Sequence, residues 1–289
     1  SMLEEYVGYG SNLPNIKNER ERKMTKAIES ELLDGFCLQS EALFSKRAFF
    51  RYYDTIWWIE SREAQMKKNI QIAIDGPAGA GKSTIAKIVA ESLGFTYIDT
   101  GAMYRAVTYK AMQQNIHLDD EAKLAEMLAA STIDLKPSPQ GQLVFLDGDN
   151  VSAEIRSNEV TSSVSQVAAH AKVRELLVAQ QQKLAANGGV VMDGRDIATH
   201  VLKNAELKIY MSATVEERAR RRFIDNEKRG IESSIEKLQE EIALRDKMDS
   251  EREASPLIQA EDAIFLDTTE LSIDAAAQAI LKLVQAKMA

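Results

Sequence analysis

The residues of this chain best suited to chemistry begin with Gly76-Pro77-Ala78-Gly79-Ala80-Gly81-Lys82-Ser83, followed by Thr84. The spacing is Gly, four residues, then Gly-Lys-Ser. In that pattern, backbone N–H groups freed by glycine turn inward around an anion. Lys82 can reach the outer phosphates of a nucleotide, and the Ser83 hydroxyl can ligate Mg2+. A second group is cationic: residues 214–229 hold Arg218, Arg220, Arg221, Arg222 and Arg229. Arg218 and Arg222 stand four apart and share one helix face. Alone they describe equally well a solvated helix balanced by Glu216 and Glu217. Beside a phosphate loop they supply the mobile cations that a triphosphate needs in the transition state. Arg245, Asp249 and Arg252 recur at helical spacing and, by themselves, read as surface ion pairs. His117, His170 and His200 lack the spacing of a metal set. The single cysteine, Cys37, has no nucleophile context.

These groups need elements to hold them. Ile70-Gln71-Ile72-Ala73-Ile74 reads as a buried parallel strand leading into the loop. Ile85, Ile88, Val89 and Leu93 follow helical spacing behind it, and Gly94 stops that helix. Strand, glycine loop and helix in this order aim a helix N-terminus at a phosphate. Four more strands are predicted at 96–98, 189–192, 207–211 and 263–266, with helices between them. Alternating strands and helices predict an α/β three-layer fold around a five-stranded parallel sheet. Ligands should gather beyond its carboxyl ends. There lie Asp99-Thr100-Gly101, Asp193-Gly194-Arg195-Asp196 and Ser212-Ala213-Thr214. Thr214-Val215-Glu216-Glu217 reads as a capping box opening a helix. The alternation breaks after residue 132. Strands at 132–135, 142–146 and 151–152, joined by turn-rich links at 137–141 and 147–150, predict a small antiparallel insert.

Composition divides the chain near Met66. Residues 1–65 carry ten of the eighteen aromatic residues, both tryptophans and Cys37. This segment reads as a helical extension, with Met24, Ala27, Ile28 and Leu32 on one amphipathic helix. A second helix spans 41–65 and gathers Phe49, Phe50, Tyr52, Tyr53, Ile56 and Trp57 on one face, with Trp58 opposite. That face reads as internal packing, or as a surface for self-association or a partner. Residues 66–289 read as a self-sufficient domain. A net charge of −8 over 289 residues excludes an electrostatic nucleic-acid or membrane binder. No apolar run approaches the ~20 residues of a membrane span. With a single cysteine, a cytoplasmic setting is expected.

The ordered motifs at 72–84, 97–106, 165–174, 190–196, 217–222 and 245–257 resemble bacterial cytidylate kinases over about residues 66–289. The insert, about 132–165, resembles the extra CMP-binding domain of those enzymes. The resemblance implies phosphorylation of CMP, and of dCMP, by ATP with Mg2+, in a monomeric kinase domain. It implies that Arg105, Arg195 and Arg252 hold the CMP phosphate, which a bidentate guanidinium suits. It implies that Ser165, Arg174 and Asp196 read cytosine, with Asp196 accepting from the exocyclic amine that uracil lacks. It places Thr100, Arg245 and Asp249 near the substrate, with Lys82, Arg195, Arg222 and Arg245 as catalytic cations. Arg218 is expected by the adenine, Arg222 by the transferred phosphate, and a lid over about 218–231. Asp193 either caps its turn or assists Mg2+ through water. Asp75 reads as a strand-end residue. The resemblance says nothing of residues 1–65.

Overall fold

The structure is a computed structural model that describes residues 70–138, 141–228 and 230–288. The predicted helices at 1–65 and their aromatic face lie outside the described residues, as does Arg229. Five parallel strands form the main sheet: β1 (Gln71–Asp75), β2 (Thr96–Asp99), β6 (Val190–Gly194), β7 (Leu207–Ser212) and β8 (Ile264–Asp267). Their order is β2-β6-β1-β7-β8. Strand β1 is central, which is why Ile72, Ala73 and Ile74 are all fully buried.

Successive side chains of the sheet face opposite layers. Ile72, Ile74, Val191, Ile209 and Met211 pack against α1 (Lys82–Leu93) and α8 (Ile273–Met288), through Ile85, Val89, Ile280 and Val284. Ala73, Ile98 and Met192 face the other way, toward Ala185 of α5 (Ala171–Ala185) and the π-turn Ile197–Val201. Beyond β2 lie α2 (Thr100–Gln113) and α3 (Glu121–Ala129), whose apolar faces join a cluster with the insert and with α4 (Asn158–Ala168).

The insert is a three-stranded antiparallel sheet, β3 (Ile133–Ser138), β4 (Gly141–Leu146) and β5 (Asp149–Asn150). Two boundaries differ from the sequence reading. Pro137 and Ser138, read as a link, continue β3 and pair with Gln142 and Gly141. Strand β3 is an edge strand, where a residue without an N–H is tolerated. The strand read at 151–152 lies instead at Asp149–Asn150. Only Asp147 and Gly148 form the turn, both at positive φ (54° and 93°), as a two-residue hairpin requires. Helix α4 follows and carries Ser165.

Helices α6 (Val215–Lys228) and α7 (Ile235–Glu251) pack together through Ala219, Leu238 and Ile242. The capping box is half realised. Thr214 Oγ1 accepts from Glu217 N–H at 3.2 Å, but the Glu217 carboxylate turns to Arg220 and Arg221.

Candidate active site

Parallel register brings the carboxyl ends of the strands level: Asp75 pairs with Gly194 and Asp99 with Asp193. From this rim the phosphate loop rises into α1. Gly76 has φ +146°, and an added Cβ would sit 1.9 Å from the Met211 carbonyl oxygen, so no side chain fits there. Lys82 is buried and its Nζ donates to the Pro77 carbonyl at 2.7 Å. Burial and the nearby Arg195 push its ammonium down to about 7, against the pull of Asp193 and Asp75.

Ser83 Oγ donates to Asp193 Oδ2 at 2.8 Å, and Tyr97 Oη donates to Asp193 Oδ1 at 2.8 Å. Burial and Asp99 raise the Asp193 carboxyl above its usual range. The Asp193 carboxylate thus stands beside the hydroxyl that the loop motif assigns to the metal. The pair offers hard oxygens, which suit Mg2+. No group of three or more potential ligands gathers among the described residues. An ion here would therefore take most of its shell from phosphates and water, as Mg2+ does. The donor set fits the ion on those terms.

A cavity of about 680 Å³ runs from this loop to Arg174 and Asp196. It is lined by Ala78, Gly79, Gly81, Lys82, Ser83, Thr84, Thr100, Arg105, Ser165, Arg195, Arg218, Arg222, Arg245, Asp249 and Arg252 as well. Of the expected residues, Gly76, Pro77 and Ala80 shape the loop from behind without lining the cavity. At the far end, Arg174 and Asp196 form an ion pair with side chains only 4% and 5% exposed. Arg174 Nη1 also donates to the Ala168 carbonyl at 2.9 Å, and its guanidinium lies 5.2 Å from the Tyr104 ring centroid.

The spacing Arg245, Asp249, Arg252, which alone suggests surface pairs, is an interior cluster. The Asp249 carboxylate accepts from Arg195 Nε (2.8 Å) and Ser165 Oγ (3.4 Å), with Arg252 Nη1 at 4.0 Å. Burial would raise the Asp249 carboxyl, but Arg195 and Arg245 hold it below the usual range. Helix α7 turns this face inward because α6 and α7 close over the rim of the sheet. Arg245 is pushed down to about 10 by burial and by Arg195. Neither Arg222 nor Arg245 has a carboxylate partner among the described residues, whereas Arg105 pairs with Asp99 at 3.1 Å. Tyr104 Oη, Arg105 Nε, Arg245 Nε and Arg252 Nη2 are buried without a hydrogen-bond partner among the described residues. Buried donors of this kind are costly unless something accepts from them.

Arg218, expected by the adenine, lines the cavity with its guanidinium held by the protein. Its guanidinium forks onto Asp246 (3.0 and 2.6 Å), with Nη1 also on the Ala78 carbonyl (3.0 Å) and Nε on Ala213 (2.9 Å). It ties α6 and α7 to the phosphate loop. Arg221, which carried no assignment, is tied likewise: Nη1 donates to Thr268 Oγ1 (3.3 Å), and the Thr268 hydroxyl lies 3.2 Å from the Ala80 carbonyl oxygen.

Other working residues escaped the sequence reading. Tyr104 sits beside Arg105 in the motif at 97–106, and an aromatic next to a phosphate-type arginine was the available signal. Tyr97 and Asp246 carried no such signal, since only folding brings them to Asp193 and Arg218. Gln142 of β4 reaches the free edge of β2, donating through Nε2 to the Tyr97 carbonyl (2.5 Å) and accepting from Asp99 N–H (3.1 Å). It docks the insert on the two residues that hold Asp193 and Arg105. Thr100 Oγ1 donates to the Asp193 carbonyl at 2.7 Å. That contact needs Gly194, where an added Cβ would lie 2.6 Å from the same oxygen.

A family model described as cytidylate kinase matches residues 72–286. A cytidylate kinase of Lysinibacillus sphaericus is 94% identical over 223 residues, 77% of this chain and 100% of that protein. That of Bacillus subtilis is 57% identical over 222 residues, 77% of this chain and 99% of that protein. A shikimate kinase structure from Bacteroides thetaiotaomicron, 14% identical and covering 75% of this chain and 98% of its own, has a TM-score of 0.41. With a phosphate loop, an arginine-lined cavity and a match across most of its length, the chain belongs to the cytidylate kinase family.

Proposed function

We propose that this cavity carries out the ATP-dependent phosphorylation of CMP implied by the family, with dCMP as a second acceptor, using the residues gathered around it. The observation that carries the reading is the order of groups along one cavity. The phosphate loop stands at one end, a buried Arg174–Asp196 pair at the other, and Arg195, Arg222 and Arg245 between. A nucleotide triphosphate on the loop and a pyrimidine monophosphate against the buried pair would meet phosphate to phosphate.

In this reading the loop amides and Lys82 hold the β- and γ-phosphates of ATP. Arg105 and Arg252 hold the CMP phosphate, and their buried unpartnered nitrogens gain acceptors there. An oxygen of that phosphate attacks the γ-phosphorus in line as the bond to the bridging oxygen of ADP breaks. The attacking oxygen is already anionic near pH 7, so no general base is needed. The difficulty is electrostatic, in bringing two anions together and spreading charge over the moving group. Arg195, Arg222, Arg245 and Lys82 meet it with a dense set of cations that lack enough carboxylates to neutralise them. Ser83, with Asp193 beside its hydroxyl, would hold Mg2+, which would supply further charge neutralisation. Asp196 accepts from the exocyclic amine of cytosine, Arg174 donates to the ring acceptors and Ser165 completes the wall. Uracil would set a carbonyl against the Asp196 carboxylate, which disfavours UMP.

The segment at about 218–231 acts as a lid that excludes water, because an open site would lose phosphoryl groups to solvent. The deciding experiment is a coupled ADP-release assay with CMP, dCMP, UMP and AMP. The reading expects turnover with CMP and dCMP and far less with UMP or AMP. A Lys82→Ala protein that still forms CDP at the wild-type rate would refute the assignment.

A further inference from the structure

Asp75 is a buried carboxylate for which the reaction has no direct use. It closes β1, is 2% exposed, and does not line the cavity. Its two oxygens accept from two successive backbone N–H groups, Ile197 and Ala198, each at 2.8 Å. These are the first two amides of the π-turn Ile197–Val201, whose preceding residue is Asp196. Amides at the start of such a turn have no partner within it, and Asp196 supplies no side-chain cap. The carboxylate of a neighbouring strand therefore does that work across 122 residues of sequence.

We infer that Asp75 is a positioning residue for base recognition, holding the Arg195-Asp196 segment at the distance from the phosphate loop that one bound CMP requires. The inference rests on the proposed role of Asp196 as the group that reads cytosine. Gly76 follows Asp75 directly, so the end of one strand fixes both the first residue of the phosphate loop and the turn that carries Asp196. Two adjacent N–H donors call for two acceptors. A carboxylate provides both, whereas an asparagine would point an NH2 at one of the N–H groups. Burial pushes the Asp75 carboxyl up to about 7, against the opposing pull of the two N–H groups. An apolar strand-end residue would avoid that cost but would leave both amides unpaired.

The test uses the full chain, with kcat and KM measured for CMP, UMP and ATP. Asp75→Asn is expected to raise the KM for CMP and to cut the CMP-over-UMP ratio of kcat/KM by about 10-fold, with the KM for ATP within about two-fold of wild type. Should that variant not fold, an amide-to-ester exchange at Ala198 removes that N–H donor while keeping every side chain, at the cost of a weaker Ile197 carbonyl acceptor for Leu202 N–H. It is expected to cut the same ratio by roughly 3- to 10-fold. Loss of turnover or of ATP affinity with the CMP-over-UMP ratio intact would overturn the inference, as would an ester protein with unchanged selectivity. A wild-type protein that does not prefer CMP to UMP would instead bring down the reading of Asp196 on which the inference stands.

Discussion

Asp196→Ala is the perturbation whose consequence the structure changes most. From the base-reading role alone it should damage only selectivity. In the fold, Asp196 is also the counter-ion of Arg174, and both side chains are about 95% covered. Removing the carboxylate leaves Arg174 with the Ala168 carbonyl at 2.9 Å, the Tyr104 ring at 5.2 Å and the repelling charge of Arg252. Breaking a buried pair on one side costs about 3–5 kcal/mol, because the remaining charge stays desolvated. The low end applies here, since a carbonyl and a ring still face the guanidinium. We therefore expect a loss of about 3 kcal/mol in urea unfolding of the free protein. For a domain of this size that is roughly 6–12 °C in Tm. Catalytically, losing the acceptor for the exocyclic amine should lower the CMP-over-UMP ratio of kcat/KM by roughly 10- to 100-fold. The double variant Arg174→Met with Asp196→Leu separates the two effects. It replaces the pair with apolar groups, so stability should return toward wild type while selectivity stays lost. If Asp196→Ala proved as stable as wild type, or the double variant no better than the single, the buried-pair reasoning would be wrong. An unchanged CMP-over-UMP ratio would refute the base-reading role itself.

Three further predictions concern the cations. Lys82 is held near 7 in the folded chain against 10.5 when unfolded, so between those values the unfolded state binds more protons. Stability of the free protein should then rise with pH by up to about 1.4 kcal/mol per unit over that window. Lys82→Met should flatten the slope in urea melts at several pH values while abolishing most turnover; an unchanged slope would contradict the assignment. Arg222→Gln and Arg245→Gln each remove a cation without a carboxylate partner among the described residues. Each should lower kcat by about 10²–10³-fold with little change in the KM for CMP or ATP, as steady-state kinetics would reveal. Asp246→Asn breaks the fork on Arg218 and loosens the tie to the phosphate loop. Its KM for ATP should rise by roughly 3- to 10-fold with that for CMP unmoved, and equal effects on both would argue against a role confined to the loop.

What the chain determines without its fold is what lies close along it. The phosphate loop, the strand before it and the helix after it are adjacent in sequence, and the demands of glycine backbone and parallel strands are local, so their positions were legible. So were the strands of the main sheet: β1, β6 and β7 are buried on both faces and write continuous apolar runs, and β8 keeps such a run although Ile264 and Phe265 are exposed at the sheet edge. Boundaries in the insert were less so, because an edge strand can carry Pro137 that a central strand could not. The site itself belongs to the tertiary structure. Arg245, Asp249 and Arg252 have the spacing of any exposed helix face, and only the closure of α6 and α7 over the sheet rim buries them. Arg218 reads as a lid arginine, and only the fold brings Asp246 to within 2.6 Å of it. Asp75 and Gln142 reach backbone groups far along the chain, and backbone groups leave no mark in sequence by which such partners can be found. The phosphate loop could thus be named from its spacing and the arginines facing it only from the resemblance, whereas the residues that hold them in place depend on which strand ends the parallel register sets side by side.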